Sequence, residues 1–312
     1  MQTIELTYPH SLTVNDLPQT VAAIGFFDGI HLGHQKVISH AVSEANKRNM
    51  ESAVITFHPH PSVVLKKDVQ HVQYITPLQE KRSILAKMDV DRLYIITFNK
   101  ELSSLSPQQF IDDFIIGLNI KHLVAGFDYS FGFKGKGNMN NIAAYTRDAF
   151  TYTTISKVEM DDEKISSTKI RGLLKTGNVQ AVRELLGRPL TVSGVVMQGA
   201  KRGKELGFPT ANIHVNQNAL LPAAGIYAVK VRHKQNYYDG MASLGFNPTF
   251  TEDRTNLSLE VNIFDYKNDL YGEELQVEWW KYIREEVKFD HVDALIDQMA
   301  DDENVIRNYF AD

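Results

Sequence analysis

Val21 to His34 reads VAAIGFFDGIHLGH and carries two imidazoles, His31 and His34, in an HxGH spacing. The apolar run Val21–Ile24 stops at Gly25, which predicts a buried parallel strand. Val37, Ile38, Ala41, Val42 and Ala45 then recur at helical spacing, so His34 falls near a helix start. A strand, a glycine turn and a helix N-terminus aim N–H groups and the positive end of a dipole at one point, which suits phosphate. Histidines there can donate to phosphate oxygens and stabilise charge as it develops. A second reactive stretch is GFDYSFGFKGKGN, Gly126 to Asn138. Its aromatics can stack a flat ring, and its glycines and lysines allow close approach to phosphate. ISSTKIR, Ile165 to Arg171, opens a helix with Ser and Thr, yet Lys169 and Arg171 oppose the dipole unless an anion lies nearby. Gly199–Gly207 holds glycines and basic residues suited to a phosphate tail, without the GK[ST] ending of a Walker loop. It runs into Phe208-Pro209-Thr210-Ala211-Asn212. In LSLEVNIF, alternation sets Glu260 on the polar side of a strand, opposite Leu257, Leu259, Val261 and Ile263.

The elements that must carry these residues follow a change of pattern. Up to Leu186, strands (21–24, 52–57, 92–98, 122–126) alternate with helices (Leu78–Met88; Gln108–Gly117, opened by Pro107; a helical hairpin Thr176–Leu186). This predicts an α/β doubly wound parallel sheet. Ligands of such sheets lie beyond the carboxyl ends of the strands, where Gly25–His34 and Gly126–Asn138 both begin. His58-Pro59-His60-Pro61 is expected to be an extended loop, since its prolines cannot continue a helix or a central strand. After Gly187-Arg188-Pro189 the β-rich runs 191–197, 226–232, 237–244, 257–264 and 275–282 follow, with one helix, Val292–Phe310. They predict a small antiparallel β-barrel closed by a C-terminal helix, and a domain boundary between 186 and 187.

Composition limits the function. The 312 residues suffice for two domains, and the absence of cysteine excludes disulfides, thiolate catalysis and Cys-ligated metals. A net charge of −5 offers no basic footprint for nucleic acid. No apolar run approaches a membrane span and the N-terminus lacks a signal-peptide layout, so a cytoplasmic protein is expected.

GFFDGIHLGH, GFDYSFGF and ISSTKIR resemble the motifs of HxGH nucleotidyltransferases, and with GFPTAN and LSLEVNIFDYKNDLYG the whole chain resembles the prokaryotic bifunctional riboflavin kinase/FAD synthetases. The resemblance implies a Rossmann-like domain 1–186 that adenylylates FMN and a barrel domain 187–312 that phosphorylates riboflavin. It assigns ATP binding to Gly25, Phe27, Asp28, Gly33, Ser167, Thr168, Arg171, Gly199, Lys201, Gly203, Lys204 and Gly207, with His31 and His34 catalytic. Phe127, Asp128, Tyr129, Phe131 and Asn247 would bind flavin. Thr210 and Asn212 would hold Mg²⁺, whose preference for few protein oxygens and several waters they suit. Glu260 would take the proton from the ribityl hydroxyl. GMASLGFNPTF and KFD (Lys288–Asp290) match further family segments. Lys204 stands where Arg is usual, a point charge in place of a bidentate fork. Substrates would be riboflavin, FMN and ATP, with FAD as product, no nucleic-acid or membrane partner, and a monomer or weak homo-oligomer. A flavin-binding regulator would bind without consuming ATP, and a tRNA-synthetase relative would need a basic surface.

Overall fold

The computed structural model describes residues 1–66, 68–198, 207–246 and 257–311. The chain forms two compact units, Met1–Ser166 and Ser167–Asp312.

The first unit is built on six strands: β1 (Gln2–Leu6), β2 (Thr20–Ile24), β3 (Glu51–His58), β4 (Arg92–Thr97), β5 (Ile120–Gly126) and β6 (Thr151–Ile155). They lie in the order β1-β4-β3-β2-β5-β6, and every neighbouring pair is parallel. Helices α1 (Leu32–Lys47), α2 (Leu78–Ala86) and α3 (Pro107–Ile111) follow β2, β3 and β4. Two separate cores show that both sheet faces are covered. Val21 and Ala23 of β2 pack in one with Val37, Ile38 and Ala41 of α1. Ala22 and Ile24 pack in the other with Phe110 and Ile111 of α3. Such a strand has no polar face, which is why its sequence is an unbroken apolar run.

β1 and β6 were not expected. Both are mostly exposed edge strands, QTIEL and TYTTI, in which polar residues interrupt the apolar signal. α3 begins at Pro107 with a Ser106/Gln109 capping box and passes into a π-helical turn over Asp112–Ile116. The expected loop at 58–61 is corrected: Pro61 opens a short helix, Pro61–Leu65, whose Ser62 N–H is capped by the His60 ring. Proline at the first helical position sacrifices only an N–H that has no partner within the helix.

The second unit starts with α4 (Ser167–Lys175) and α5 (Val179–Leu186), the latter closed by Gly187 at φ 67°. A closed barrel follows, of strands β7 (Leu190–Met197), β8 (Thr210–Val215), β9 (Gly225–His233), β10 (Asn236–Phe246), β11 (Leu257–Ile263) and β12 (Glu274–Arg284). Their order is β7-β8-β11-β10-β9-β12, with β12 returning to β7, and all pairs are antiparallel. The runs read from sequence become five of these strands. β8 is the sixth, because THR-ALA-ASN at its start reads as a turn until β11 pairs with it. Helix α6 (Val292–Ala311) completes the unit.

Candidate functional site

The strand order places the first site. From β2 the chain moves outward on one side to β3 and β4, then returns to lay β5 on the other side of β2. Ile24 and Ala125 pair across β2 and β5, so the turns beginning at Gly25 and Gly126 leave adjacent strand ends. This is the switch point of a doubly wound sheet, the crevice in which ligands bind.

His31 is the N-cap of α1, its Nδ1 accepting from the His34 backbone N–H at 3.3 Å. An accepting Nδ1 leaves the neutral ring's proton on Nε2. The two imidazoles stack, centroids 3.6 Å apart. Burial, then the neighbouring His31, Lys81 and Lys164, holds His34 well below the usual histidine range, so it is neutral at pH 7. His34 Nδ1 is buried with no hydrogen-bond partner among the described residues, a polar atom waiting for a ligand. A Cβ at Gly33 would lie 3.1 Å from the His31 ring, and one at Gly25 would meet the Phe27 ring at 2.9 Å, so a side chain at either position would push on a ring of the turn. Asp28 is buried, and its Oδ1 accepts from the Thr76 N–H at 3.2 Å, tying the turn to the segment before α2.

The expected flavin residues divide between two environments. Phe127 is exposed, Lys164 Nζ lies 4.7 Å from its ring centroid, and Lys164 also donates to Asp128 at 2.6 Å. Tyr129 stacks on Phe131, which is buried against Phe110. Burial pushes the Tyr129 hydroxyl far above its usual pKa. Ser167, Thr168 and Arg171 belong to the first turns of α4, in the second unit.

The second site lies on the barrel. β8 and β11 pair so that Asn212 faces Glu260 and Thr210 faces Asn262. Thr210 Oγ1 donates to Glu260 Oε2 at 3.3 Å, and Asn262 Nδ2 donates to the Pro209 carbonyl at 2.8 Å. Thr210, Asn212 and Glu260 therefore meet. The polar side of β11 is not a solvated face. It borders a cavity of about 290 Å³ lined by Met241, Ser243, Glu260, Glu286, Phe289 and Met299 among others. Glu286, which sequence reasoning missed, accepts from Ser243 Oγ at 3.4 Å. Burial raises its pKa, opposed by the Ser243 hydrogen bond and Arg284, with Glu260 adding a smaller upward push. The wall from α6 is held by Arg284, whose guanidinium grips the buried Asp302 at 2.7 to 3.0 Å. A second cavity, of about 130 Å³, touches Thr210, Ala211, Val261 and Tyr271. Gly207 is an exposed turn residue at φ 86°, while Gly199, Lys201, Gly203, Lys204 and Asn247 lie outside the described residues.

Two family models divide the chain: FAD synthetase matches residues 13–169 and riboflavin kinase residues 186–310. The bifunctional riboflavin kinase/FMN adenylyltransferase of Listeria monocytogenes is 45% identical over 100% of this chain and 99% of its own length. The chain belongs to that family. The enzyme of the same description from Bacillus subtilis is 42% identical over 100% of this chain and 99% of its own. As a member of the family the chain has two transferase activities, riboflavin kinase and FMN adenylyltransferase, with riboflavin, FMN and ATP as substrates. A solved structure described as a macrolide-efflux protein from Streptococcus pneumoniae shares 36% identity, a TM-score of 0.89 and 99% coverage of each chain. Among the described residues no helix is long and apolar enough to cross a membrane.

Proposed function

We propose that the two activities divide between the two sites described, each using the residues brought together there. The carrying observation is the contact of Thr210 with Glu260, opposite Asn212, on the wall of the larger cavity. Riboflavin occupies that cavity. Glu260 accepts the proton of the ribityl 5′-hydroxyl as its oxygen bonds to the γ-phosphorus of ATP and the bond to ADP breaks. The Thr210 hydroxyl and Asn212 amide are hard oxygen donors that fit Mg²⁺. Mg²⁺ held there would neutralise charge on the phosphates of ATP. Gly199–Gly207 carries the nucleotide's phosphates, and Asn247 meets the flavin.

In adenylyl transfer an FMN phosphate oxygen attacks the α-phosphorus of a second ATP and pyrophosphate leaves. The attacking group is already anionic, so positioning and charge stabilisation suffice. His31 and His34 donate to phosphate, His34 as a neutral imidazole. Gly25, Phe27, Asp28 and Gly33 shape the ATP side and Phe127, Asp128, Tyr129 and Phe131 the flavin side. Ser167, Thr168 and Arg171 take the triphosphate, as the family resemblance implies. We also assign the functional boundary to 186/187, and expect a cytoplasmic monomer or weak homo-oligomer with no nucleic-acid partner, in keeping with the net charge of −5.

The test starts from each flavin separately. Riboflavin with ATP and Mg²⁺ should give FMN and then FAD, and supplied FMN should give FAD with release of pyrophosphate. Consumption of ATP without flavin conversion would defeat the assignment.

A further inference from the structure

The HxGH turn is gripped from beneath by a buried lysine that the two reactions as described leave without a part. Lys81 of α2 is only 4% exposed. Its Nζ donates to the Phe26 carbonyl at 2.7 Å and to Thr56 Oγ1 of β3 at 3.2 Å, and it lies 4.8 Å from the Phe26 ring centroid. Thr56 Oγ1 in turn donates to the same Phe26 carbonyl at 2.9 Å. One peptide oxygen is thus held by two donors two residues past the end of β2, where the backbone enters an unusual path. Phe27 (φ 52°) and Ile30 (φ 41°) are both left-handed, on either side of Gly29. Non-glycine residues keep such angles only where the surroundings over-determine them.

Holding the carbonyl explains a donor, but not a charged one. Burial lowers the Lys81 pKa to about 8, with Asp28 opposing the fall, so the amine is still largely protonated at pH 7. A neutral amide or hydroxyl would bind the carbonyl without the cost of burying an ammonium. The positive charge acquires a use because the turn above it must receive a polyanion. Its reach is evident in His34, whose basicity it lowers.

We propose that Lys81 is a positioning residue of adenylyl transfer: through the Phe26 carbonyl it fixes the Phe26–Ile30 turn that presents Asp28, His31 and His34, and its ammonium supplies fixed positive charge beneath the phosphate site. This rests on the assignment of adenylyl transfer to the HxGH turn. Lys81 touches no reacting atom itself.

The experiment compares the full-length wild type with K81M, K81R and T56V, measuring kcat and KM for ATP in FAD formation from FMN. Riboflavin phosphorylation and thermal unfolding are followed in the same preparations. For K81M, kcat should fall by roughly 10²-fold, the scale of a slightly misplaced catalytic group, with riboflavin phosphorylation unchanged. K81R, which keeps the charge, should recover at least about tenfold of that loss, and T56V, which removes the second donor but no charge, should lose at least about tenfold less than K81M. If K81M does not fold, K81Q carries the same expectation, because it retains an N–H donor for the carbonyl and lacks the charge. A purely structural lysine would lower the unfolding temperature and leave kcat of the folded enzyme within about threefold of wild type, and that result in K81M or K81Q overturns the proposal. Wild type that makes FMN but no FAD would instead overturn the adenylyl-transfer assignment on which it rests.

Discussion

A stacked pair of imidazoles does different work from a lysine or arginine pair. Each offers a directed N–H, and His34, held neutral by burial, spares the pair the repulsion of two cations with ring centroids 3.6 Å apart. His31→Ala removes a donor and also the N-cap of α1, whereas His34→Ala removes a half-buried ring and leaves the cap's acceptor in place. Each should lower FAD formation from FMN by about 10²-fold or more, the loss typical of a preorganised donor. His31→Ala should in addition destabilise the first unit by about 1 kcal/mol, the usual effect of losing a cap. Product chromatography and thermal unfolding read the two effects separately. At the barrel site, Glu260→Gln keeps the volume and the acceptor for Thr210 and removes the basic carboxylate. Riboflavin phosphorylation should drop about 10²–10⁴-fold while adenylylation of supplied FMN stays near wild type. Equal loss of both activities in a folded protein would show that the sites are not independent.

At the scale of elements, the pairing of β5 with β6 contains an acid-sensitive joint. His122 is buried on β5, its two ring nitrogens within 2.7 and 2.9 Å of the Thr151 and Thr153 hydroxyls of β6. Burial above all, with a contribution from Arg48, lowers its pKa from 6.5 to about 4. Between those values the unfolded chain takes up a proton that the folded chain refuses, so stability falls as pH drops through that window. The loss is at most on the order of 3 kcal/mol. Denaturant unfolding at pH 7.5, 5.5 and 4.5 should show a steeper acid loss in wild type than in His122→Leu, which cannot titrate. The same element scale explains what could be read from sequence. β2 was legible because both its faces are buried and its apolar run is unbroken, and the HxGH turn was legible because a helix pattern restarts at once. β1 and β6 escaped notice because edge strands mix polar and apolar residues, and β8 because Pro209, Thr210 and Asn212 carry turn chemistry that only the ladder to β11 overrides. Lys81, Glu286 and the Arg284–Asp302 pair act through partners 55, 43 and 18 residues away in sequence, which no local pattern encodes.

Across the whole chain, the compact units part at Ser166 while the riboflavin kinase model begins at residue 186. Helices α4 and α5 occupy this stretch, and α5 packs on β12 and β7. Val179, Val182, Leu185 and Leu186 are buried, and the Ala223 N–H donates to the Leu174 carbonyl at 2.8 Å. A fragment 187–312 should therefore retain riboflavin kinase chemistry but be several kcal/mol less stable than a fragment 167–312, since each buried aliphatic side chain contributes about 1.5–3 kcal/mol. Unfolding midpoints of the two fragments, with FMN formation assayed below both, check this. The larger cavity carries a further consequence. One of its walls, from Leu295 to Asp302, belongs to a helix joined to the barrel through a single connecting segment and fastened back by the Arg284–Asp302 pair. The slow exchange of α6 amide hydrogens with solvent deuterium thus becomes a gauge of the kinase site from outside it: bound riboflavin should slow that exchange, and Asp302→Asn should quicken it before any other element of the barrel responds.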